Sequence, residues 1–238
     1  MMSALLVLVL LGSGAFAAPA KKAGTTSAAP SGAKRPEAPR GTASVPLDLK
    51  LPKPAFVGTP KNVPPGTTVE KPSGKLRPPF RVPAGTANLA AGRPVDAGGA
   101  EPIVGETKLV VDGDKEAADG SYVEFGPGLK HLTIDLGRPR GIACIVVWHW
   151  HGDPRVYHDV IVQVADDADF ITNVRTLFNN DADNTAGLGV GSDHEYFETY
   201  EGRLIDAKLA KARYVRLFSN GSTADEMNRM TEAEVYAR

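Results

Sequence analysis

The residues with most chemical potential lie in one stretch, Trp148-His149-Trp150-His151, which is followed by Gly152-Asp153-Pro154-Arg155 and then Val156-Tyr157-His158-Asp159. If Gly152 to Arg155 close a hairpin, His151 faces Val156, Trp150 faces Tyr157 and His149 faces His158. Three of the five histidines then share one sheet face. Three imidazoles within reach of one another are ligands for Zn²⁺, which in hydrolytic sites keeps a fourth position for water. Histidines at a sheet margin also hydrogen-bond loop carbonyls or a ligand, and the spacing leaves these readings open.

Two further segments offer oxygen. Asp112-Gly113-Asp114 sets two carboxylates across a Gly turn, hard ligands of the kind Ca²⁺ takes; a solvated turn is the plainer reading. The run from Asn179 to Asp193 carries Asp181, Asp183 and Asn184 among glycines. It begins like an EF-hand, but Gly187 stands at the seventh position and Ser192 where a bidentate Glu belongs, so an EF-hand is excluded. It also lacks the Gly-Lys-Ser/Thr end of a phosphate loop. A polar loop of this length reads as part of a ligand surface or as disordered, and its amides and carboxylates suit sugar hydroxyls. Asn228 and Arg229 sit in another loop, ahead of the last strand. Asn220-Gly221-Ser222 is a glycosylation triplet that matters only in a eukaryotic secretory path.

The motifs of common enzymes are missing: no Gly-x-Ser-x-Gly elbow, His-Glu-x-x-His, Cys-x-x-Cys or dinucleotide fingerprint occurs. The sequence is read as non-catalytic.

These residues need a scaffold. The 238-residue chain divides by composition: residues 18–87 hold 12 basic and 3 acidic residues and 14 of the 19 prolines, whereas residues 88–238 hold 15 basic and 25 acidic. That acidic excess argues against a nucleic-acid partner. Residues 1–17 carry an apolar run, Ala4 to Leu11, and end at Ala15-Phe16-Ala17. This reads as a signal peptide for a secreted or periplasmic protein, too short to be a transmembrane segment. Residues 18–44 read as a disordered basic linker rich in Pro, Ala and Lys. Residues 45–86 read as an extended Pro-rich segment with Leu47, Leu49, Leu51, Phe56, Val57, Leu76 and Phe80 as anchors partly packed on the domain.

From residue 87 to 238 the signals are short strands. His131 to Leu136 alternates apolar and polar residues up to Gly137, and Ile142–Trp150, Val156–Ala165, Arg213–Phe218 and Thr231–Tyr236 read likewise. No stretch shows ten residues of helical periodicity, so an all-β antiparallel sandwich or barrel is expected. Ile145, Val147, Val160 and Val162 should line its core. The opposite face, with Cys144, Val146, Trp148, Trp150, Tyr157 and Ile161, is too apolar for open water. The Leu47–Phe80 segment is its expected cover; an aromatic platform at Trp150 and Tyr157 for a sugar ring is the alternative. With Cys144 as the single cysteine no intrachain disulfide can form.

Six pieces in order carry a resemblance: Asn88 to Val95, Val111-Asp112-Gly113-Asp114, Ile134 to Gly137, Val160 to Asp167, Ala212 to Leu217, and Glu232 to Tyr236. Together they resemble the discoidin domain, the coagulation factor V/VIII C-type domain of the galactose-binding-like superfamily, which is similar to family 32 carbohydrate-binding modules. The resemblance implies a jelly-roll β-sandwich that binds an extracellular glycan or surface polymer through loops at one end. It also implies a structural Ca²⁺ held by Asp112, Asp114 and Glu232. The ligand-binding residues expected on the loops are His149, His151, Tyr157, His158, Asp181, Asp183, Asn184 and Asn228. The alternative is a structural or protein-interaction domain whose loops meet a protein partner.

Overall fold

The computed structural model describes residues 43–56 and 68–238. The expected signal peptide and most of the expected basic linker lie outside the described residues. Among the described residues ten strands follow one another: β1 (Ser44–Pro46), β2 (Arg81–Pro83), β3 (Ala87–Asn88), β4 (Val95–Asp96), β5 (Val123–Phe125), β6 (Lys130–His149), β7 (Ile161–Ala165), β8 (Arg175–Asn179), β9 (Arg203–Ser219) and β10 (Asn228–Ala237). Among the described residues the only helix is a 3₁₀ turn at Thr107–Val111, and no helix is long and apolar enough to cross a membrane.

Every strand pairing is antiparallel. Strands β6 and β9 form one long ribbon, from Lys130 opposite Ser219 to Val147 opposite Arg203. Its register breaks between Asp135 and Arg140 and again between Ile142 and Cys144. At the first break Gly137 takes a φ of +82°, which Gly adopts without strain; at the second, β9 bulges through Lys208 and Leu209 at φ 51° and 59°. The ribbon therefore bends and serves two layers. Its first layer runs β8–β7–β9–β6–β4, using Lys130–Asp135 and the second half of β9. Its second runs β9–β6–β10, using Ile142–His149, with β3 and β5 on β10. This is the antiparallel sandwich expected from the sequence.

Side chains alternate across the two layers as the strand period requires. Leu132, Ile134, Val162, Val164, Val215 and Leu217 of the first layer meet Ile145, Val147, Ile205, Ala233 and Val235 of the second, all buried. The outer face of the second layer is apolar too: Cys144, Val146, Trp148 and Tyr236 are buried there against Leu47, Leu49, Phe80 and Val82. The β1–β2 pair and its flanks thus form a strap across that face, tied by Leu47 N–H donating to Phe80 O at 2.7 Å. Leu51 and Leu76, also expected as anchors, remain exposed at 41% and 71%.

Candidate functional site

Because the ribbon folds back on itself, both of its open ends reach the same end of the sandwich. The segments 150–160, 180–202 and 220–227 all start or finish there, so that end is where a ligand would meet side chains held by strands.

The hairpin expected over Gly152–Arg155 does not form. Strand β6 ends at His149 against Met230 of β10, and the following segment makes only single bridges, Val156 to Phe197 and Tyr157 to Ser222. Local hairpin closure loses to pairing with a strand far along the sequence, and the three histidines separate. His149 and His151 are fully buried. His149 Nδ1 lies 3.0 Å from Glu198 Oε2, and its ring stacks on Tyr157 at 4.4 Å. His151 Nδ1 lies 3.2 Å from His149 O, and Tyr157, 2% exposed, donates its hydroxyl to Trp150 O. These groups support the loop end from inside. His158 alone is half-exposed, with Nδ1 2.9 Å from Glu195 Oε1; that bond, ahead of the neighbouring Asp159 and Asp183, raises its pKa.

The long loop is ordered around Asp181, which is 1% exposed. Its carboxylate accepts the amides of Thr185 (3.0 Å) and Ala186 (3.0 Å), and the neighbouring Asp159 accepts Thr185 Oγ1 and Asn220 Nδ2. Asp183 and Asn184 are exposed; Asp183 accepts the Thr185 amide, and Thr185, through its side chain first and that amide second, lowers the Asp183 pKa, while Asn184 Oδ1 accepts the Gly189 amide. Asp159, Asp181 and Asp183 bring one carboxylate oxygen each within 4.8 Å of one another, the only such group of potential metal ligands among the described residues. Asn228 is buried and spent: its Oδ1 accepts from Ser219 Oγ and the Gly221 amide, and its Nδ2 donates to Gly126 O and Gly128 O.

Asp112, Asp114 and Glu232 sit beside the outer face of the second layer. Glu232 pairs with Trp148 across β10 and β6 and is fully buried. Its Oε2 accepts the Gly113 amide at 3.1 Å, and its Oε1 has no hydrogen-bond partner. Loss of solvent pushes its pKa up to about 9. Asp112 accepts the Asp114 amide through one oxygen, whereas Asp114 is committed on both, to the Glu116 amide and to Ser121 Oγ.

A concave feature lies next to the expected residues. A cleft of about 550 Å³ runs between residues 70–78, which continue the strap, and residues 196–204, which lead into β9. Tyr196, Phe197 and Tyr200 give it aromatic walls, and Glu70, Glu201, Arg77 and Arg203 give it charge. Arg77 clamps the two sides by donating to Glu201 O and Gly202 O, both at 2.9 Å, while its amide donates to the Glu201 carboxylate. Arg203 donates to Glu70 Oε1 at 2.7 Å and lies over the Phe178 and Tyr196 rings. Gly202, at φ +61°, leaves no space for a Cβ, which would stand 2.6 Å from the Trp148 ring. None of these residues was expected as a site residue from the sequence. The signal available was Glu195 to Glu201, where three acidic and three aromatic side chains fall within seven residues.

No family model matches the chain, and no curated protein does. Solved structures do resemble it in chain path. A family 89 glycoside hydrolase from Clostridium perfringens aligns at TM-score 0.49 and 16% identity over 63% of this chain, which spans 14% of that enzyme. A fucose-binding module from Streptococcus pneumoniae aligns at 0.45 and 16%, over 64% of this chain and 98% of the module. A chitosan-binding module from Paenibacillus sp. IK-5 aligns at 0.41 and 19%, over 63% and 98%.

Proposed function

We propose that this protein is an exported, non-catalytic module that binds carbohydrate, or another extracellular surface polymer, through the loop end of its sandwich. The cleft between residues 70–78 and 196–204 carries the reading: a concavity of ligand size with aromatic walls and a few fixed polar groups is how small polar ligands are held. The half-exposed His158–Glu195 pair and the exposed Asp183 and Asn184 supply further hydrogen-bonding capacity on the same end. A glycan array probed with the full chain tests it, with fucose- and chitosan-type sugars included because the modules similar in chain path are described as binding them. Saturable binding supports the reading. Silence on every sugar, together with capture of a protein partner, replaces it with a protein-interaction domain.

A structural Ca²⁺ belongs to the same proposal. Glu232 suits it, since a buried carboxylate oxygen without a partner is what a hard cation satisfies, and the exposed Asp112 offers the oxygen that the Asp114 amide does not take. Asp114 acts instead as the tie that shapes the loop. Such an ion would fix the 112–121 loop against the β10 edge.

A further inference from the structure

The end of the sandwich opposite the loops has its own electrostatics. Elsewhere the domain ties cations to acids: Lys115 to Glu234, Arg155 to Asp153, Arg203 to Glu70, and Arg229 to Glu124 and Asp225. Where β6 and β9 bend, it leaves them unpaired. Arg93, Arg138, Arg140, Arg175, Lys208 and Lys211 have no carboxylate partner among the described residues, although residues 88–238 hold 25 acidic residues against 15 basic. The strand pairings gather these six. Arg93 Nη1 would stand 3.1 Å from a Cβ on Gly137, Arg140 and Gly141 of β6 lie opposite Ala212 and Lys211 of β9, and Arg175 of β8 donates to Lys211 O. The nearest acids are engaged: Arg213 holds Asp135 through two bonds of 2.8 Å, and Asp206 accepts the Lys208 amide. Asp166, Asp167 and Asp169 belong to the turn after β7, beside Arg216.

The six cations follow one another across the strands, from the approach to β4 through β6 and β9 to β8, with adjacent strands about 4.8 Å apart. A row of charges matches a chain rather than a plane. Guanidinium forks take phosphate or carboxylate through paired bonds, and lysines add point charge. A phosphate group has acceptor oxygens on all sides and can bridge cations on neighbouring strands, whereas a carboxylate presents two oxygens on one side. We infer that the bend end is a docking surface for a linear phosphate polymer laid across these strands. Arg138, Arg175, Lys208 and Lys211, all exposed, make the outer contacts. The chain also enters the domain here: Ala43 O accepts the Ala84 amide, three residues before β3 pairs with the end of β10, and residues 18–40, which lead to it, hold five basic residues against one acidic. This surface is separate from the loop end, and its occupancy requires no saccharide there.

The test titrates fluorescently labelled inorganic polyphosphate with the full chain. The expected result is saturable binding that weakens about a hundredfold or more between about 50 and about 200 mM salt. Arg138→Gln and Lys211→Gln together should lower the affinity about tenfold or more and flatten the salt dependence by about one unit of slope for each charge removed. Lys75→Gln, an exposed cation beside the loop-end cleft, should change nothing, and Lys34→Gln/Arg35→Gln/Arg40→Gln should weaken binding less than the bend pair does. Binding that survives the bend pair, or is lost only with the three linker substitutions, overturns the inference. So does a preference for polygalacturonate or for vesicles rich in phosphatidylglycerol, and so does a wild-type chain that ignores polyphosphate. Saccharide binding at the loop end should be the same in every bend variant, so a silent glycan array and a silent polyphosphate titration remove different readings.

Discussion

Removing residues 1–86 should do more than shorten the protein, because the strap covers a face that water would otherwise meet. Cys144, Val146 and Trp148 are fully buried under it, and Tyr236 is 7% exposed. A buried Trp hides roughly 150–250 Å². At about 25 cal/mol per Å², uncovering half of that costs about 2–3 kcal/mol. Val146, Cys144 and Tyr236 add about 1 kcal/mol each on the same basis. The sum, about 5–6 kcal/mol, compares with a total stability of about 5–15 kcal/mol for a typical domain. A fragment beginning at Ala87 should therefore unfold at much lower urea concentration than the full chain, or pair its exposed faces into a dimer. Cys144 gives a second readout. In the full chain the thiol is inaccessible and burial pushes its pKa up to about 12, so it should be inert to a disulfide reagent in native buffer. In the fragment it should react. Phe80→Ala, which trims one anchor, should lower stability by about 1–2 kcal/mol. A fragment that stays monomeric, keeps the urea midpoint of the full chain and hides its thiol would refute the reasoning.

Three further outcomes are expected, two at the loop end and one at Glu232. Glu198→Ala leaves the buried His149 Nδ1 without its hydrogen-bond partner and should lower stability by about 1–3 kcal/mol in urea unfolding; an unchanged urea midpoint would mean that this contact contributes nothing. Millimolar Ca²⁺ should raise the melting temperature of the wild type and leave Glu232→Gln unmoved, and an equal response in both would take the ion away from Glu232. Because Glu195 raises the pKa of His158, the stabilisation from that pair is fully present below the unfolded value near 6.5 and disappears as pH rises through the folded value. With His158 half-exposed the difference should be about 0.5 kcal/mol between pH 6 and pH 8.5, and absent in His158→Gln.

The sequence made the layers legible because alternation reports directly which side chains face inward. Ile145, Val147, Val160 and Val162 lie in the core as the period requires. The apolar run through Cys144, Val146 and Trp148 required a cover, and Leu47, Leu49 and Phe80 supply it. What alternation cannot report is which strand becomes the neighbour. Reading Trp148 to Asp159 as a hairpin assumed local pairing, whereas β6 finds β9 and β10, so Tyr157 turns into the core beside His149. The partners of the histidines, Glu198 and Glu195, were hidden for the same reason, since nothing in their spacing ties them to residues 49 and 37 positions earlier. The cleft was less legible still, being made where a Pro-rich segment with no strand signal of its own meets the approach to β9.

The ribbon shared by both layers also governs how the molecule comes apart. Strands β6 and β9 belong to each sheet at once, so one sheet cannot peel away while the other persists, and denaturation should proceed as a single transition. Assembly must pair β6 with β9 before either layer has its centre, and even the shortest closure, Val147 to Arg203, spans a long loop. Refolding should accordingly be slow, in the millisecond-to-second range common for all-β chains, and the ribbon's closure should set its rate.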